Sequence, residues 1–129
     1  MAILAESVEG AGRSRVQRVR CRQDRARGAA PVINALVSAA FAVRVCDLRA
    51  STRRGADVAL ARQIAMYLAH TAIGMSYAEV GRAFVRDRTT VAHACRLIEE
   101  RRERPLLQAM LSELECALSR IGVASEAAL

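Results

Sequence analysis

The sequence predicts an all-α fold, a domain of about five to six helices, and three observations predict it. Apolar residues recur every three or four positions through each segment from Val32 onward, the period of a helix with one buried side. No stretch alternates apolar and polar residues as a half-buried strand would. Helix-start residues punctuate the chain at Pro31, Ser76, Asp87 and Pro105. A chain of 129 residues holds one domain plus a tail. With 53% apolar residues and only 3% aromatic ones, its core is built mainly from small aliphatic side chains on closely packed helices.

Taken in order, residues 1–30 read as a separate basic arm, disordered or loosely helical, with Gly10, Gly12 and Gly28 and no sustained apolar period. Pro31 suits a first helical turn, and Val32, Ala35, Leu36, Ala39, Ala40 and Val43 give that helix a stripe to about residue 43. Asp47 is expected to start a short helical turn, and "RASTRRG" (49–55) is a basic loop ending in glycine. The clearest helix is 56–72, with Val58, Ala61, Ile64, Ala65 and Leu68 buried, Asp57 as its cap and Gly74 as its stop. "SYAEVGRAF" (76–84) opens with a capping box, in which Ser76 bonds forward and Glu79 reaches back. Three residues later Asp87 caps a helix over 88–103, and a last helix spans 105–120 with Leu107, Met110, Leu111, Leu114 and Leu118 on one side. The helical domain is therefore placed at 31–121, with a flexible tail at 122–129.

All 20 basic residues are arginine; a GC-rich genome explains that as readily as function does. Arginine is in either case the better side chain for phosphate and for guanine. A net charge of +7 fits a polyanionic partner. The charge is uneven: residues 13–27 hold seven arginines against Asp24 alone, while 97–129 hold six acids against four arginines. Cys21, Cys46, Cys95 and Cys116 show no zinc-finger spacing, and Cys95 and Cys116 are read as core thiols. No metal and no cofactor are expected. Without a secretory signal or an apolar run of roughly 18 residues, the expected home is a reduced cytoplasm, on the nucleoid rather than a membrane.

Two helices joined by a tight turn make a helix-turn-helix candidate, although a hairpin in any helical bundle gives the same pattern. In that motif the second helix enters the major groove and its first residues meet base edges. Its outer face here would carry Arg88, Thr89, Thr90, His93, Arg96 and Glu100, opposite a stripe of Val91, Ala94, Cys95 and Ile98. The stretches "ARQIAMYLA" (61–69), "SYAEVGRAF" (76–84) and "RDRTTVAHACRLIE" (86–99) resemble the C-terminal DNA-binding domain of the bacterial replication initiator DnaA, over about residues 31–121. The resemblance implies that Thr89, Thr90 and His93 contact bases and backbone in the major groove, with Asp87 at the head of that helix. It also implies that Arg54 enters the minor groove from the basic loop and that Arg62 and Gln63 meet phosphates. Arg53, Ser76 and Arg88 complete the expected DNA-binding set.

Departures from the family pattern accompany the matches. Where the family writes F-G-G-R-D-H, this chain writes "FVRDR" (84–88), one residue shorter and without the paired glycines. Arg88 replaces the family histidine, and His70 stands where a basic phosphate contact is expected. Arginine reads guanine bidentately, so the target need not be the initiator's own box. The phosphate loop of the initiator's AAA+ module needs a lysine that this chain lacks, so a stand-alone relative is expected. Asp87, His93 and Ser76 show no base-orienting pattern that would support an enzyme. The resemblance implies sequence-specific binding to double-stranded DNA that modulates replication initiation or transcription. A protein adaptor that docks on the initiator, or on its ATPase-stimulating regulator, is the alternative.

Overall fold

Ser14 accepts a hydrogen bond on Oγ from the Gln17 amide at 3.2 Å, and its own amide donates to Gln17 Oε1 at 3.0 Å. This capping box starts α1 (Arg15–Phe41), so the first helix begins well before Pro31. The computed structural model describes residues 14–50 and 55–122, with 18–27 described by backbone alone; residues 1–13 of the expected arm lie outside that range. Proline inside a helix forfeits a hydrogen bond and costs about 3 kcal/mol. Here exposed Pro31 is carried by its neighbours, because Ala29 and Ala30 before it and Ile33 and Val37 after it are all buried. The buried stripe thus differs from the expected one: Ala35, Ala39 and Ala40 face solvent. Bulky Ile33 and Val37 remove more apolar surface from water than those alanines would, and that sets the helix's rotation.

Ala42 ends α1 in the left-handed conformation (φ 54°, ψ 40°), donating to the Ser38 carbonyl, while the Ser38 hydroxyl donates to the Val43 carbonyl. The short α2 (Val45–Arg49) follows, with Leu48 buried and Arg44 paired to Asp47 at 3.0 Å. Asp47 lies inside this turn of helix rather than opening it. Next comes α3 (Ala56–Thr71), whose N-cap is Gly55 at φ 129°; Asp57 sits in the first turn, where its charge suits the helix dipole but is not the cap. Ala61 and an unbroken run from Ile64 to Ala69 are buried, so the middle of α3 is enclosed by the elements around it. It packs against α1 and α2, and against α4 (Tyr77–Phe84) and α5 (Arg88–Arg101). Gly74 (φ 84°) terminates the turn after α3 as expected.

The last helix, α6 (Pro105–Ile121), starts on Pro105 and is capped by Gly122 (φ 83°). Leu111, Leu114 and Leu118 bury as expected, but Cys116 is exposed. Two residues past Leu114, it is turned about 160° away from the core. Cys95 is a buried thiol, pushed up to about 11 by burial and then by the nearby Glu99 carboxylate. Behind it the Tyr67 hydroxyl donates to Glu99 Oε2 at 2.9 Å and accepts from Arg102 Nη1 at 2.5 Å. Arg102 also pairs with Glu115 at 3.0 Å, joining α3, α5 and α6. Among the described residues the architecture is six helices and no strand.

Two outcomes follow for stability. Ala42→Gly removes left-handed strain from a side chain and should raise stability by about 1 kcal/mol, roughly 4 °C in thermal unfolding. The buried Cys95 stays a neutral thiol in the fold, whereas the unfolded thiol ionises near its ordinary 9.0. The unfolded chain then holds fewer protons, so stability should fall as pH rises from about 9 to about 11. Burial raises Tyr67 as well, so Cys95→Ala should flatten that loss without abolishing it in urea titrations across this range. An unchanged alkaline slope would show that Cys95 ionises freely in the folded chain.

Candidate nucleic-acid interface

The site begins with the hydrogen bonds that frame α4. Ser76 Oγ accepts from the Glu79 amide at 3.2 Å and the Ser76 amide donates to Glu79 Oε1 at 3.4 Å, the capping box read from the sequence. Ser76 is exposed but its hydroxyl is already engaged in this cap. Four residues on, Val80 is fully buried and Gly81 lets the chain fold back on itself. A β-carbon on Gly81 would lie 2.6 Å from the Arg86 carbonyl oxygen, closer than real contacts allow. The Arg86 amide returns to the Gly81 carbonyl at 2.8 Å, closing the turn.

That turn contains a feature invisible to pattern reading. Val85 caps α4 in the left-handed conformation (φ 54°, ψ 55°), where β-branched side chains are outliers. Arg86 then fixes the turn from outside: its Nη2 donates to the Ala50 carbonyl at 2.6 Å and its Nη1 to the Val85 carbonyl at 3.1 Å. Ala50 caps α2, so one guanidinium ties the α4–α5 turn to the end of α2. Sequence reasoning did not single out Arg86, because its partner is 36 residues away.

Helix α5 docks through Val91, Ala94, Cys95 and Ile98, all buried. Arg88, Thr89, Thr90, His93, Arg96 and Glu100 are exposed, so the two faces are the ones the spacing predicts. Asp87 occupies the N-cap position, but its side chain makes no capping hydrogen bond, contrary to expectation. Asp87 instead lines an open depression between α4 and α5. Ala78 and Gly81 line it together with Arg82, Val85, Arg88 and Thr90. The first amides of α5 and these guanidiniums bring positive charge to this end of the helix, beside the Asp87 carboxylate.

The remaining expected contacts divide into three cases. Arg53 and Arg54 lie outside the described residues. Arg62 is half-buried and donates from Nε to the Leu48 carbonyl at 3.1 Å and from Nη2 to the Asp47 carbonyl at 2.5 Å. It therefore satisfies the open C-terminal carbonyls of α2, and Gln63 is half-buried beside it. His70 points inward: its Nδ1–H donates to the Met75 carbonyl at 2.7 Å and its ring lies 4.4 Å from that of Tyr77. The carbonyl accepts only, so the proton resides on Nδ1 in this arrangement. His70 holds the α3–α4 connection together.

The chain can now be set beside known proteins. Residues 31–98 match the model of the bacterial DnaA protein helix-turn-helix family. Chromosomal replication initiator protein DnaA 1 of Protochlamydia amoebophila is 49% identical over 65 residues, 50% of this chain and 14% of that protein. DnaA 2 of Chlamydia trachomatis is 44% identical over 71 residues, 55% of this chain and 15% of that protein. Among solved structures, a DNA replication initiation factor superposes with a TM-score of 0.63 at 33% identity over 78% of this chain and 30% of that one. A replication initiator DnaA bound to AMPPCP and single-stranded DNA gives 0.62 at 31% identity, over 79% and 30%. The chain thus spans a small part of each relative, and the part it spans is one module. By the family match over more than half its length, the chain belongs to the bacterial DnaA helix-turn-helix family.

Proposed function

We propose that this protein binds double-stranded DNA sequence-specifically and modulates replication initiation, or transcription, at sites like those of the initiator. One observation carries the reading: α5 is held by four buried residues and turns Arg88, Thr89, Thr90 and His93 to solvent at its N-terminal end. That is the presentation a recognition helix needs in the major groove. Asp87 and Arg88 lie at its head, where a carboxylate takes a cytosine amino group and a guanidinium takes guanine O6 and N7. Arg54 enters the adjacent minor groove with Arg53 beside it in sequence, and Arg62, Gln63 and Ser76 flank phosphates. The basic arm adds sequence-independent attraction. Retention of the outer face of α5 favours DNA over an adaptor role at the initiator or its regulator. A relative solved with single-stranded DNA agrees with nucleic-acid chemistry for the family.

Phosphate contacts give a log–log salt slope near −0.9 for each one neutralised. Arg62→Ala should weaken binding to all duplexes alike and make that slope shallower by about one. It should also lower thermal stability, since the α2 carbonyls lose their donor, by about 1–3 kcal/mol. Affinity that is the same at low and high salt would sink the phosphate model.

Base reading is tested separately. Thr90→Ala and His93→Ala should each cost about 1–3 kcal/mol of discrimination between target and random duplex while stability changes little, since both side chains are exposed. Selection from randomised duplexes should show the natural chain preferring guanine at one position and Arg88→His losing that preference. Identical motifs from the two proteins would mean that Arg88 reads no base.

A further inference from the structure

Val85 is 81% exposed, so its methyl groups contribute almost nothing to the core. It nevertheless occupies a left-handed backbone position that glycine would hold without strain. Unlike Ala42, which shares this backbone state, Val85 also spreads a branched apolar side chain into solvent, and that makes it a candidate for a contact outside the fold. The surroundings narrow what that contact is. Val85 shares its depression with Ala78 and with Thr90, and Arg82 and Arg88 line it as well. Apolar groups (Ala78, Val85 and the Thr90 methyl) thus share this small surface with three guanidiniums, Arg82, Arg86 and Arg88, and the Asp87 carboxylate. Duplex DNA offers one apolar group in the major groove beside its phosphates: the C5-methyl of thymine.

We propose that Val85 is a specificity-determining residue that packs against a thymine C5-methyl, with Ala78 and the Thr90 methyl closing around it. The inference rests on the DNA-binding reading and adds a base contact from the turn rather than from α5. The turn is well placed for this. Gly81 draws the Arg86 carbonyl against α4 and Arg86 is fastened to Ala50, so Val85 is presented on a fixed loop. Asp87 and Arg88 follow within three residues, so a thymine met by Val85 would adjoin the bases they face. Val85 would thereby extend the readout beyond the N-terminal turn of the recognition helix.

Replacing single thymines of the selected duplex with deoxyuridine removes the methyl group and leaves every Watson–Crick hydrogen bond in place. For the natural chain, one position should cost about four-fold in affinity, the equivalent of exposing one buried methyl group. For Val85→Gly the cost at that position should shrink to what the Ala78 and Thr90 methyls retain, well below about two-fold. This variant relieves backbone strain, so circular dichroism should show it folded and thermal unfolding should show it no less stable. A deoxyuridine profile identical in the two proteins, or one in which no thymine matters to the natural chain, overturns the Val85 contact while leaving DNA binding intact. Failure of the natural chain to bind any duplex in a salt-dependent way removes the DNA-binding reading, and this contact with it.

Discussion

The enclosure of α3 is the constraint on which the other helices depend. Its middle turns are buried on nearly all sides, so it cannot stand as an amphipathic surface helix and needs a cover on each flank. Helix α1 supplies one cover through Ile33 and Val37, α5 another through Val91, Ala94 and Ile98, and α4 a third through Val80. The small residues Ala61, Ala65 and Ala69 let these neighbours approach closely. The direction in which α5 presents its N-terminus is therefore fixed by packing on its opposite face. Any change that loosens the α3–α5 seam would move the candidate DNA surface without touching an exposed residue.

How much of this could be read in advance depended on how local the determining contact was. The capping box at Ser76 and Glu79, the stop at Gly74 and the two faces of α5 each need only residues within four or five positions, and all were legible. The start of α1 was not. Ser14 and Gln17 carried a weaker signal than Pro31, and the burial of Ala29 and Ala30 against the rest of the fold decided the matter. Cys116 was misplaced by arithmetic that the sequence did permit. The second roles of Arg62 and Arg86 were out of reach, since their backbone acceptors lie 14 and 36 residues away.

Those two side chains also give a physical meaning to the absence of lysine. Arg62 spans two consecutive carbonyls with Nε and Nη2, and Arg86 spans Val85 and Ala50 with its two Nη groups. Arg102 similarly meets both Tyr67 and Glu115. A planar fork holds two acceptors at a fixed separation, which a single rotating ammonium does less well. In this chain the residue type suited to phosphate also serves as internal strapping, so charge and architecture are not separable by composition alone.

The continuity of α1 through Pro31 has a mechanical consequence. From Arg15 to Gly28 the backbone is one helix about 21 Å long, ahead of the buried pair Ala29 and Ala30. Whatever charge this segment carries is held on a rod with a direction, where a flexible tether would spread it through a cloud. The proline deprives the helix of one hydrogen bond between buried Ala29 and Ala30 on one side and buried Ile33 on the other. Packing grips the weakened turn on both sides, so the rod keeps the heading that the core gives it.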